Sequence, residues 1–215
     1  MNDESRFILF ISRPGTTTKV LTAHSSLQRF PFLVSSPSKQ IDREKRFVVA
    51  EAGTTLSKLH VALADEGLAM SNLGSISEQT LAGVITTATH GSGTNYAVIS
   101  SHVLALRLLL VNGKVVRCSP TENPDLFKAS LCGLGSTGLL VSVTLQVEPA
   151  FHLKEVSDTI GFDETIENLD ELASSGEHVR MWWFPQTDKV RINASDRTRE
   201  VRLHGFVIQS PYPLD

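Results

Sequence analysis

Small and hydroxylated residues crowd the stretch Leu73-Gly74-Ser75-Ile76-Ser77-Glu78-Gln79-Thr80-Leu81-Ala82-Gly83-Val84-Ile85-Thr86-Thr87-Ala88-Thr89-His90-Gly91-Ser92-Gly93. Glycine lets a ligand approach the main chain closely. The hydroxyls of Ser75, Ser77, Thr87 and Thr89 add side-chain donors, as a pyrophosphate requires. Ser77 is placed to cap a helix starting near Glu78, whose leading N–H groups would face an anion. The same composition also suits a small-residue helix packed tightly on a sheet and followed by a loop. His90 is either polar lining of such a cradle or a hydrogen-bonded structural histidine.

Other chemistries find less support. Gly133-Leu134-Gly135-Ser136-Thr137-Gly138 fits G-x-G-x-x-G, but that fingerprint needs a strand before it and a helix after it. Here an expected helix precedes and an expected strand follows, so a tight helix-to-strand turn near a ligand fits better than a Rossmann loop. No G-x-x-x-x-G-K-[ST] and no G-x-S-x-G occurs. None of the seven histidines pairs with another ligand type at metal spacing, so no metal site is expected. Cys118 and Cys132 form neither a disulfide framework nor a CxxC pair. Among 215 residues, 41% are hydrophobic and 20% charged, with a formal net charge of -3, which gives no basic footprint for nucleic acid. The apolar run 103–111 is interrupted by Arg107 and is too short to span a bilayer.

The elements that must position the cradle are legible around it. Residues 47–50 read as a buried strand. Gly53-Thr54-Thr55 then turns into a helix bearing Leu56, Leu59, Leu63 and Ala64 on one face, with Thr54 or Thr55 as cap and Gly67 as stop. Residues 103–111 and 114–118 read as strands joined at Asn112-Gly113, a type I′ hairpin signal. Asn123-Pro124 opens a helix carrying Leu126, Phe127 and Leu131 inward. Residues 139–147 form the clearest strand. After Pro149 come a strand near 151–156, a helix near 164–173 and the aromatic strand 179–184. Residues from Ser195 onward lose periodicity, and the first 45 residues carry at most one or two weak strands. Strands and helices mix without regular βαβ alternation, which favours an α+β fold.

Leu73-Gly74-Ser75-Ile76-Ser77-Glu78-Gln79, then Ala82-Gly83 and Thr89-His90-Gly91-Ser92, closely resembles the aldonolactone oxidases within the vanillyl-alcohol-oxidase-type FAD enzymes. This group comprises the D-arabinono-1,4-lactone, L-gulonolactone and galactonolactone oxidases, and the fungal D-arabinono-1,4-lactone oxidases look most similar. Val49-Ala50-Glu51-Ala52-Gly53, Val111-Asn112-Gly113, Asp125-Leu126-Phe127-Lys128-Ala129 and Arg180-Met181-Trp182-Trp183-Phe184-Pro185 agree in the same order. The resemblance implies an FAD-binding domain of the PCMH type in α+β form, with an incomplete first subdomain, over residues 46–148. An atypical segment, 1–45, would precede it, and 149–215 would begin a substrate cap. It implies that FAD is held by Gly74, Ser75, Ser77, Gly83, Thr87, Thr89, His90 and Gly91, with Leu140 at the adenosine end.

The chain departs from the family at several points. Relatives commonly carry Gly where Ala88 stands, and a methyl there costs roughly 1 kcal/mol or more if φ is positive. The family's Gly-x-Gly-His-Ser phosphate loop, whose histidine often tethers the flavin, is matched only by Ala23-His24-Ser25-Ser26. The family's cap also continues past the Trp-Trp-Phe-Pro strand, so the chain reads as a partial member with exposed strand edges and apolar surface. The implied activity is oxidation of an aldono-1,4-lactone at C2 with transfer of hydride to the flavin and reoxidation by O2, as in ascorbate or erythroascorbate synthesis. The alternatives are a non-catalytic or unstable FAD-binding fragment and a related alditol or sugar oxidase. No residue stands out as catalytic acid or base. The partners expected are a small sugar lactone and O2, with no nucleic acid; the family suggests a mitochondrial membrane association and otherwise a cytoplasmic location.

Overall fold

The computed structural model describes residues 40–198. Strands β1 (Gln40–Asp42) and β2 (Phe47–Glu51) form a hairpin and lead into helix α1 (Leu56–Asp65). Thr55 caps α1, its hydroxyl accepting the Lys58 N–H at 3.4 Å. Short strand β3 (Leu68–Ala69) follows, then the irregular segment 70–80 and helix α2 (Leu81–Thr86). A 3-10 turn, Ile99–His102, enters β4 (Val103–Leu109). Next come β5 (Val115–Cys118), α3 (Pro124–Ser130), β6 (Leu139–Gln146) and β7 (Glu148–Pro149). Then β8 (His152–Gly161), α4 (Phe162–Glu167), α5 (Leu169–Ala173), β9 (His178–Phe184) and β10 (Lys189–Thr198) complete the described residues.

Two sheets carry the architecture. The first is antiparallel with strand order β1-β2-β6-β4-β5. Its register sets Ala50 opposite Val143, Val143 opposite Leu106 and Leu106 opposite Cys118. That row is fully buried, and Leu56, Leu59 and Leu63 of α1 with Leu81, Val84 and Ile85 of α2 belong to the same core. Each such leucine stabilises the fold by about 2 kcal/mol relative to exposure. The second sheet is antiparallel with order β8-β10-β9, and β3 and β7 form a separate antiparallel pair. The result is the α+β arrangement expected.

Several local expectations are corrected. Ser77 does not cap a helix. Its carbonyl accepts the Ser57 N–H at 2.9 Å, and the Gln79 carbonyl accepts the Leu56 N–H at 2.9 Å. These bonds hold 77–79 as a turn beside the start of α1, so α2 begins later, with the Thr80 hydroxyl accepting the Gly83 N–H at 3.2 Å. The Asn112-Gly113 turn is not type I′, because only Gly113 has positive φ, at 79°. The Leu110 carbonyl accepts the Gly113 N–H at 2.9 Å and the Leu110 N–H reaches the Lys114 carbonyl, a three-residue loop closed by a left-handed glycine. The helix expected near 164–173 is split at Asn168, whose amide donates to the Glu164 carbonyl. Ser195 through Thr198 is not aperiodic chain but the end of β10, the central strand of the second sheet.

The turn 133–138 joins α3 to β6 as expected, with Leu134, Gly135 and Gly138 at positive φ. Its Leu134 N–H reaches the Thr86 carbonyl at the end of α2. Ala88 sits at φ 54°, the left-handed region in which an L-residue with a Cβ is strained. Ala88→Gly is therefore expected to stabilise the chain by about 1 kcal/mol, read as a higher urea midpoint at unchanged slope.

Candidate flavin and substrate cavity

Segments 70–75 and 90–92 run side by side and border a cavity of about 860 Å³. Gly74, Ser75, His90 and Gly91 line it. Close approach explains the glycine at 91: a Cβ there would lie 1.8 Å from Asn72 Oδ1 and 2.7 Å from the Leu73 carbonyl. Asn72 is 95% buried, being 5% exposed, so its side chain has nowhere to swing. The other residues singled out from the sequence lie off the cavity lining. Gly83 is inside α2, where its carbonyl accepts the Thr87 hydroxyl at 2.8 Å. Thr87 has thereby committed its proton, so across the 3.2 Å contact Thr89 donates to the Thr87 hydroxyl and keeps only lone pairs to offer. Ser77 is exposed beside α1, and Leu140 is buried in the core opposite Leu108. His24 lies outside the described residues.

The far wall of the cavity comes from the second sheet, and sequence reasoning missed it. Glu155, His178, Arg180 and Ser195 line it, with Phe151 and Leu153. The signal lay in the alternation His178-x-Arg180-x-Trp182 and Arg191-x-Asn193-x-Ser195-x-Arg197, which puts polar groups on one sheet face. A bridge between Gly93 and His178 joins the wall to the cradle, and the Val179 N–H donates to the Ser92 carbonyl at 3.2 Å.

Behind that bridge lies an ionic cluster. Arg197 donates from both terminal nitrogens to Glu148, at 2.7 and 2.8 Å. Its Nε lies 2.8 Å from Glu177 Oε1, out of line for a hydrogen bond. Its guanidinium lies over Phe151 at 4.0 Å and Tyr96 at 5.4 Å. Tyr96 donates its hydroxyl to Glu177 and stacks on His178 with ring centroids 5.0 Å apart. A Cβ at Gly93 would lie 2.3 Å from the Tyr96 ring, so the glycine makes room for it.

Burial, followed by the bond to Glu177, pushes the Tyr96 phenol from 10.0 up to about 12. Burial also pushes Glu177 upward, but the Tyr96 hydroxyl, the Arg197 N–H and the Arg197 charge outweigh it and hold the carboxyl below 4.5. In the folded chain Tyr96 thus keeps a proton that the unfolded chain gives up. Its contribution is complete below pH 10.0 and is lost as pH rises towards about 12. Glu177 contributes fully above the ordinary carboxylate range and loses that contribution as pH falls through its lowered folded value. The stability difference between the unaltered chain and Tyr96→Phe is therefore expected to be constant from neutrality to pH 10.0 and to shrink above it, measured by urea unfolding at stepped pH.

Profile and sequence comparisons fit this geometry. The FAD binding domain family matches residues 33–119, and the D-arabinono-1,4-lactone oxidase family matches residues 143–210. Over these residues the chain is a partial match to the aldonolactone oxidases. It is 40% identical over 161 residues to L-gulonolactone oxidase of Mus musculus, covering 75% of this chain and 37% of that protein. It is 40% identical over 142 residues to D-arabinono-1,4-lactone oxidase of Yarrowia lipolytica, covering 66% of this chain and 27% of that protein. The chain thus spans 27% to 37% of the length of these aldonolactone oxidases. A solved structure of a solvent-stable cholesterol oxidase superposes with a TM-score of 0.67 at 24% identity, covering 76% of this chain and 35% of that one. That likeness shows the fold alone; with the FAD binding domain match over residues 33–119 the domain is of the PCMH type.

FAD is the cofactor of this domain family, and the residues present fit it. No described residue accepts the backbone N–H groups of Gly74, Ser75, His90 or Gly91, which leaves donors for anionic oxygens. Gly74 and Gly91 keep that floor bare. Asn72 Nδ2 and His178 Nε2, on residues lining the cavity, are buried with no partner among the described residues, as suits a pocket whose polar inventory is completed by a ligand. Among the described residues no group of three or more His, Cys, Asp or Glu is placed to hold a metal, and no helix is long and apolar enough to cross a membrane.

Proposed function

We propose that the chain forms the flavin-facing and lactone-facing part of an FAD-dependent oxidoreductase. Its substrate in this reading is an aldono-1,4-lactone of the D-arabinono type, with O2 as acceptor. One observation carries the reading: a glycine-floored cradle in the segment matching the FAD-binding family faces, across a single cavity, a polar sheet in the segment matching the lactone oxidase family. Residues 46–148 then supply the cofactor side and 149–215 the beginning of the substrate side. Bound FAD supplies the two-electron acceptor. The Gly74, Ser75, His90 and Gly91 main chain holds it, and Phe151 and Leu153 line the facing wall.

The test is anaerobic mixing of the FAD-loaded chain with D-arabinono-1,4-lactone. Loss of visible flavin absorbance, restored by air, is the expected result. An FAD-loaded chain whose spectrum no aldonolactone changes would contradict oxidation and leave FAD binding alone.

A further inference from the structure

The face of the second sheet that borders the cavity holds a carboxylate set up to receive hydroxyl groups. The register places Glu155 opposite Ser195, and Asn193 opposite both Ser157 and Arg180. Asn193, 6% exposed, donates its amide to Glu155 Oε1 at 2.8 Å and contacts Ser157 Oγ at 2.6 Å. The Asn193 bond fixes the Glu155 carboxylate through one oxygen. The other oxygen has only distant company: Ser195 Oγ at 3.4 Å and an Arg180 terminal nitrogen at 3.6 Å. The Arg180 contact is too long for a hydrogen bond and lies between partly exposed side chains, so it adds little to stability.

An ionised carboxylate only accepts hydrogen bonds and a guanidinium only donates them. Side by side on a cavity wall, the two complement a ligand that shows hydroxyls next to a carbonyl or ring oxygen. We propose that Glu155, oriented by Asn193, is the hydroxyl-recognising subsite of this cavity. It accepts hydrogen bonds from adjacent hydroxyls of a polyhydroxylated lactone, while Arg180 donates to the lactone's carbonyl or ring oxygen. This rests on the lactone reading above and names the residues that select among lactones. A site built to pair hydroxyls discriminates against analogues lacking them, because its own polar group is then left unpaired.

The experiment is calorimetric or ligand-observed NMR titration of the full chain loaded with FAD, uptake being confirmed first by visible absorbance. The ligands are D-arabinono-1,4-lactone and γ-butyrolactone, which has the ring and carbonyl but no hydroxyls. Glu155→Gln, equal in size, is expected to weaken D-arabinono-1,4-lactone at least tenfold, with γ-butyrolactone affinity, melting temperature and FAD uptake unchanged. Arg180→Met, at a partly exposed position, is expected to weaken both ligands and gives an independent reading. Equal lactone affinity in the unaltered chain and Glu155→Gln would overturn the subsite while leaving the lactone reading standing. An FAD-loaded, unaltered chain that takes up neither ligand would overturn both.

Discussion

Replacing Gly91 by alanine is expected to abolish FAD uptake and to lower stability by about 3 kcal/mol. The new methyl would lie 1.8 Å from Asn72 Oδ1 and 2.7 Å from the Leu73 carbonyl. Neither neighbour can yield cheaply: one is a buried side chain and the other is main chain. Segments 70–75 and 90–92 must then separate, and the free N–H groups of Gly74 and Gly91 no longer converge on one ligand. Gly53→Ala is the control, since a Cβ there meets nothing within 4 Å and leaves both properties unchanged. Flavin fluorescence titration and urea unfolding of the two variants check this, and normal FAD affinity in Gly91→Ala would contradict it.

The second large effect is expected at Arg197. Its side chain is 28% exposed and holds Glu148 through two hydrogen bonds while lying against Glu177 and two aromatic rings. Arg197→Met keeps much of the stem and removes the charge, leaving two partly buried carboxylates without their cation. A loss of about 2–3 kcal/mol follows, below the range for a fully buried pair because solvent reaches part of this one. Arg197→Lys is not expected to restore it, because an ammonium cannot make the paired contact to Glu148 and lie flat on Phe151 at once. A double-mutant cycle with Glu148→Gln isolates the pair. Additive losses would show that the two side chains do not act together.

Much of the fold was legible because its signals are local. Thr55 before Leu56, Pro124 at the start of α3 and the β-branched run of β6 each announce their element within a few residues. The errors arose where a distant contact decides. Ser77 and Thr80 are both hydroxyl residues, and the choice between them is made by hydrogen bonds to Leu56 and Ser57 at the start of α1. Strand β10 alternates apolar residues only as far as Ala194; beyond it Ser195 is buried against Glu155 rather than in oil, so the pattern gives out before the strand does. The same reasoning divides the cavity. Gly74, Ser75, His90 and Gly91 belong to one composition-rich stretch and stand out from the chain. Glu155 on β8 and His178 and Arg180 on β9 lie more than sixty residues further along the chain and converge only through sheet register. Ala88 carried a conditional cost in the sequence, and its positive φ makes that cost real.

The most direct test of the account is titration of FAD into the full chain, followed by flavin fluorescence and visible absorbance, with Gly91→Ala run in parallel. Saturable one-to-one binding with a perturbed flavin spectrum, lost in the variant, is the predicted result. An unperturbed flavin spectrum with the unaltered chain, or equal binding by the variant, would contradict it.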